Sequence, residues 1–146
     1  MRLRDTIEVA RPAGEVYALL AEPERRRGGM AWRDLTREDD GYRATLHASA
    51  GAIELDFDCR FELVERREGE SVRLRGTGVS PRLAFTFEGL LAVAERGGGA
   101  GATVDVDVEV RPSGALAGLG QRRLREQARG LVADFVAAET APSSSP

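Results

Sequence analysis

Apolar and polar residues alternate one by one over most of this chain, and a helical period replaces that alternation only in two places. In Arg2–Val9, Leu3, Ile7 and Val9 fall on one side and Arg2, Arg4, Thr6 and Glu8 on the other. This predicts a half-buried strand, with Asp5 as the one misfit in its inward row. Arg11-Pro12 ends the strand, and Pro12 can occupy the first turn of a short helix whose apolar positions are Val16, Tyr17, Leu19 and Leu20. A second helical turn is predicted over Glu22–Arg27, opened by Pro23 and closed by Gly28-Gly29.

Strands follow in series. Trp32–Arg37 reads as a weak strand, and Asp39-Asp40-Gly41 has hairpin-turn chemistry. Tyr42, Ala44, Leu46 and Ala48 then alternate with Arg43, Thr45, His47 and Ser49. After a turn at Ala50-Gly51, Ile53, Leu55, Phe57, Cys59, Phe61 and Leu63 oppose Glu54, Asp56, Asp58, Arg60 and Glu62. Beyond a turn at Arg67–Glu70, Val72 and Leu74 oppose Arg73 and Arg75. Gly76–Pro81 is predicted as a loop from its Gly, Ser and Pro content. Leu83, Phe85, Phe87, Leu91 and Val93 form the next inward row, Gly97–Gly99 a hairpin loop, and Val104, Val106, Val108 and Val110 the last row. Pro112-Ser113-Gly114 is expected to break that strand. The period then becomes helical from about Ala115 to Glu139, with Leu116, Gly120, Leu124, Ala128, Leu131 and Phe135 on one face. A disordered polar tail is expected over 141–146, after a single domain over 1–140.

Strict alternation in strand after strand is the mark of an antiparallel sheet with one wet face. The predicted class is α+β: a curved seven-stranded antiparallel sheet wrapped around one long C-terminal helix, with two short helices after the first strand. One helix rarely fills such a sheet, so an apolar, ligand-sized space is expected between them. Leu55, Phe57, Cys59, Phe85, Phe87 and Leu91 would line it from the sheet, with Leu116, Leu124, Leu131 and Phe135 from the helix. Asp5 and Tyr42 would be its polar groups, joined by Thr77 and Ser80 at the loop. The entrance is expected at Met30 and Trp32, at Val79 and Pro81, and at Gly118 and Gly120. Glycines at 114, 118 and 120 weaken the helix start by about 1 kcal/mol each relative to Ala, which makes that start the expected gate.

Composition narrows the chemistry. All 21 basic residues are Arg, so lysine Schiff bases, lysine general bases and Walker-type phosphate lysines are excluded. One Cys excludes an intramolecular disulfide and cysteine-rich zinc sites, and one His excludes sites that need two. A net charge of −3 argues against nucleic acid as a partner. No apolar run is long enough for a membrane helix and no signal-peptide core is visible, so the expected compartment is the cytoplasm.

The remaining reactive groups look structural. His47 falls in the outward row, and Cys59 sits among Phe57 and Phe61 with no basic neighbour on its face. Asp105, Asp107 and Glu109 stand about 7 Å apart along one strand, too far to share an ion. With the last strand beside the first, as in the fold this element order resembles, they would face Arg2 and Arg4, while Arg43, Arg73 and Arg75 could face Glu54, Asp56 and Asp58. No metal, cofactor or catalytic residue is assigned. A site so poor in acid–base groups suits an apolar ligand better than turnover.

This element order resembles the helix-grip fold of the SRPBCC superfamily, shared by START domains, Bet v 1-like proteins and polyketide cyclases. Within it the chain is most similar to the CoxG-like family, named for a carbon monoxide dehydrogenase subunit. The stretches RLRDTIEVARPAGEVYALLAEPER, DDGYRATLHASAGAIELDFDCRFEL, VRLRGTGV and GALAGLGQRRLREQARGLVADF carry the likeness over about residues 2–140. Between Arg25 and Leu35 the chain departs from it, with RRRGGMAWRDL where the family has an Ile-Pro-Gly core. The resemblance implies an accessory role for a molybdenum hydroxylase, in membrane recruitment or quinone handling. The residues and the resemblance together point to binding of a lipid- or quinone-like molecule, with that accessory role at a membrane surface and a cyclase-like enzyme as the alternatives.

Overall fold

The structure is a computed structural model that describes residues 1–23, 32–50, 53–81 and 83–114, and positions 122, 125, 126, 129 and 130. Strand β1 (Arg2–Val9) leads into helix α1 (Ala13–Ala21). Six strands follow: β2 (Trp32–Glu38), β3 (Gly41–Ala50), β4 (Ile53–Arg67), β5 (Ser71–Val79), β6 (Leu83–Arg96) and β7 (Gly101–Gly114). All seven join one antiparallel sheet in the order β1-β7-β6-β5-β4-β3-β2, so the last strand returns beside the first. Turns at 39–40, 68–70 and 97–100 close the hairpins expected at Asp39–Gly41, Arg67–Glu70 and Gly97–Gly99. The second helical turn expected at 22–27 falls outside the described residues beyond Pro23, as does the tail at 141–146. Arg122, Arg125, Glu126, Arg129 and Gly130 have helical backbone; the rest of the long helix expected over 115–139 lies outside the described residues. No helix among the described residues is long and apolar enough to cross a membrane.

Pro12 stands at the N-cap of α1 rather than inside its first turn, and its carbonyl accepts from the Glu15 and Val16 amides at 3.0 and 3.1 Å. The helix lies across β5, β6 and β7 and buries Val16, Tyr17 and Leu20 against Val72, Leu91, Val104 and Val106. A β-bulge between Leu63 and Glu65 shifts the phase of β4. Val64 is left exposed there, and the Arg66 Nε donates to the Ala21 carbonyl at the end of α1.

Two expected strand ends are corrected. The loop at Gly76–Pro81 is strand as far as Val79. Gly76 lies opposite Phe87 and Gly78 opposite Phe85. A Cβ at 76 would come within 2.7 Å of the Phe87 ring, and one at 78 would overlap the Phe85 ring. These glycines seat aromatic rings flat on the sheet instead of breaking it. Thr77 accordingly points outward, opposite Arg60 and Thr86, and not into the cavity. At the other correction, β7 continues through Pro112 to Gly114. The Val110 amide points toward β1, donating to the Met1 carbonyl at 2.7 Å. Pro112, two residues on, has the same parity but lies beyond the end of β1, so its missing N–H removes no ladder bond.

Candidate ligand site

Register places Asp5, Tyr42, Leu55, Phe57, Cys59, Phe85, Phe87 and Leu91 on the inner face. Aromatic rings form its floor on β3 to β6. Tyr42 stacks on Phe61 with centroids 5.3 Å apart, Phe57 meets Phe85 edge-on at 5.2 Å, and Phe85 lies 6.0 Å from Phe87. Leu46, Phe57 and Cys59 are buried, whereas Ala48, Leu55, Leu83 and Phe85, packed beside them, are only half-buried. Leu116, Leu124, Leu131 and Phe135 lie outside the described residues, as do Met30, Gly118, Gly120 and the Trp32 side chain. Val79 and Pro81, expected at the entrance, are exposed; Val79 sits opposite Asp58, in the outward row.

The polar groups on this side are either paired or held neutral by burial. Asp5 accepts from the Thr6 amide at 2.9 Å and lies 3.3 Å from the Arg129 guanidinium, so the misfit in the β1 row holds a partner from the chain's C-terminal part. Burial pushes the Cys59 thiol up to about 12, with the Asp58 charge adding to it. At neutral pH it is a thiol and not a nucleophile. Burial also raises the Tyr17 phenol, with Glu68 adding and Arg66 opposing, and its hydroxyl has no hydrogen-bond partner among the described residues.

The outer face is a charge lattice. Arg2 grips Asp107 with two hydrogen bonds of 2.7 and 2.8 Å, and Arg4 lies 3.8 Å from the same carboxylate. The hydrogen bonds from Arg2 hold the Asp107 carboxyl below its usual range. Arg43 takes Asp58 bidentately at 3.0 Å. Arg75 pairs with Glu62 across the strand rather than with the acids at 54–58. His47 is on this face as expected, with its Nδ1 2.6 Å from Asp56 and its Nε2 3.7 Å from Glu54. No group of His, Cys, Asp and Glu among the described residues could hold a metal ion.

The outer face also holds a groove of about 960 Å3, lined by Arg60, Thr77, Thr86 and Arg111 together with charged residues of neighbouring rows. A twisted sheet is a saddle, hollow on both faces along different diagonals. Alternation assigns Arg60 to the outer face, but Thr77 joins it only because β5 runs on to Val79, and the meeting of the four depends on the register of four strands, which periodicity does not contain.

Comparison with known proteins gives a consistent result. The profile of the carbon monoxide dehydrogenase G-subunit (CoxG) family matches residues 6–139. No curated protein matches the chain. A crystal structure of a conserved protein from Geobacillus kaustophilus is similar over 96% of this chain and 93% of its own, with TM-score 0.82 and 20% identity. A protein from Thermus thermophilus is similar over 99% of this chain and 100% of its own, with TM-score 0.62 and 18% identity. The ZhuI aromatase/cyclase from Streptomyces sp. R1128 is similar over 96% of this chain and 88% of its own, with TM-score 0.52 and 17% identity. At these identities the likeness is one of fold.

Proposed function

The chain belongs to the carbon monoxide dehydrogenase G-subunit (CoxG) family, and on that premise we propose that it binds a hydrophobic small molecule, lipid- or quinone-like, between the inner face of the sheet and the C-terminal helix. One observation carries the reading. On β3 to β6 the inner face is floored by aromatic rings whose neighbours Leu55, Leu83 and Phe85 are only half-buried, while the part under α1 is closed. Apolar side chains that the chain does not cover completely are surface a ligand can cover, at about 25 cal/mol per Å2. Binding rather than turnover is supported by the state of the inward polar groups, with Asp5 tied to Arg129 and Cys59 held as a neutral thiol.

Native mass spectrometry of the protein purified from its own host tests the proposal. The expected result is a co-purified lipid or quinone that is lost in Phe85→Ala and kept in Arg33→Ala. Protein that carries no such molecule, and that fails to take up a quinone added after delipidation, would overturn it.

A second reading rests on the family match itself: an accessory protein that brings a molybdenum hydroxylase of the carbon monoxide dehydrogenase type to the membrane. It predicts capture of that enzyme on the immobilised chain, and flotation of the pair with vesicles. Enzyme capture that survives Phe85→Ala would separate this role from ligand binding.

A further inference from the structure

The outer groove contains a row that neither reading uses. Arg60 on β4 lies opposite Thr77 on β5, Thr77 opposite Thr86 on β6, and Thr86 opposite Arg111 on β7. All four are exposed and line the groove. No carboxylate interrupts this row, whereas the next reads Glu62, Arg75, Glu88, Glu109 and Arg2. Arg2, Arg4, Arg43 and Arg75 each reach an acid. Arg60 and Arg111 have no ion pair among the described residues. Arg60 also stands directly opposite Arg43, a like-charge pairing that works against the sheet, and Arg43 already occupies the nearby Asp58. An exposed guanidinium kept beside another without a counter-charge is a departure from local consistency that marks functional positions.

We propose that Arg60, Thr77, Thr86 and Arg111 form a binding site for the phosphate group of a small soluble phosphate monoester. Strands lie about 4.8 Å apart, so the two arginines stand about 14 Å apart across three spacings, and both long side chains can lean inward over the threonines. Each guanidinium offers a bidentate fork that matches a phosphate, and each hydroxyl adds a donor. Glu62, Glu88 and Glu109 stand about 7 Å away along their strands and bound the site on that side. That acidic border, and the overall charge of −3, repel an extended polyanion or an anionic lipid surface and confine an anion to the arginine row itself. The site is on the face opposite the apolar floor and stands independently of the function proposed above.

Inorganic phosphate, and separately phenyl phosphate, is titrated into the 15N-labelled full chain, with chloride holding ionic strength constant. Saturable shifts are expected at the Thr77 and Thr86 amides and at the Arg60 and Arg111 Nε–H groups. Arg60→Gln and Arg111→Gln should each weaken binding about tenfold, and Arg33→Gln, outside the groove, should leave it unchanged. Circular dichroism of each variant establishes that it folds, and Thr77→Val supplies a variant that keeps every charge. Shifts that rise linearly, spread over all arginines or persist in both arginine variants would overturn the proposal. Arg60-dependent sedimentation with phosphatidic acid vesicles, without binding of phenyl phosphate, would overturn the choice of a soluble ligand.

Discussion

The inner face of the sheet has two halves built by the same alternation, and they end in different states. Under α1 the side chains are aliphatic and closed: Val16 and Val104 are 0% exposed, and Leu20 and Val72 are 1% exposed. Toward β3 and β4 they are aromatic and incompletely covered, with Leu55, Leu83 and Phe85 half-buried beside Leu46 and Phe57. The difference lies in what faces the sheet. A short helix whose apolar positions interlock with valines excludes everything else, whereas rings seated flat on glycines give a broad floor. With the function proposed above, stability and binding fall at different ends of one surface, and substitutions can test that division.

Leu20→Ala should have the largest effect, a loss of about 2–5 kcal/mol in urea unfolding, because the closed half leaves a cavity that cannot collapse. Gly78→Ala comes next at about 1–3 kcal/mol, since the new methyl displaces the Phe85 ring. Adding Phe85→Ala to it should recover part of the loss, and strict additivity would contradict the seating of that ring. Leu55→Ala should cost only about 1 kcal/mol, because a half-buried side chain gives up less surface. A cost equal to that of Leu20→Ala would break the comparison by making the aromatic half a closed core as well.

Cys59 sharpens it through pH. Its thiol is raised on folding, so the neutral form is favoured in the folded state. The associated stability is complete below the ordinary thiol range and is lost as pH rises toward about 12. Alkaline unfolding of Cys59→Ala should be displaced accordingly, and native protein should resist iodoacetamide until it unfolds. The smallest effect belongs to Tyr17→Phe. Its hydroxyl has no partner among the described residues, so removing it should be neutral or stabilise by up to about 1 kcal/mol. A loss on thermal unfolding would mean that the hydroxyl is satisfied.

Most of the sheet was legible because alternation reports directly which side of a strand is dry. The inward sets on β3, β4, β6 and β7 follow from it, and so does the outward placement of His47, whereas the β1–β7 neighbourhood came from the resemblance to the helix-grip fold. What was misread depends on cross-strand partners. Gly76 and Gly78 look like loop punctuation until Phe87 and Phe85 are seen opposite them, and Thr77 changed faces with that correction. Pro112 looks like a strand end until β1 is seen to stop short of it. Asp5 looked like a spare ligand group because Arg129, its partner, is distant in sequence. The Arg60–Arg111 row was unreadable for the same reason, since its members come from four strands and carry no shared motif.

The open margins of the sheet have a consequence for association. β1 and β2 stand at the two ends of the strand order. β2 carries an irregularity between Arg33 and Thr36, and Asp34 within it has a φ of 54°. An irregular margin with an exposed aspartate offers no continuous run of free amides and carbonyls, and β1 presents Arg2, Arg4 and Glu8 along its length. A second copy therefore finds no straight ladder at β2 and a charged margin at β1, two features that oppose edge-to-edge pairing of the folded sheet.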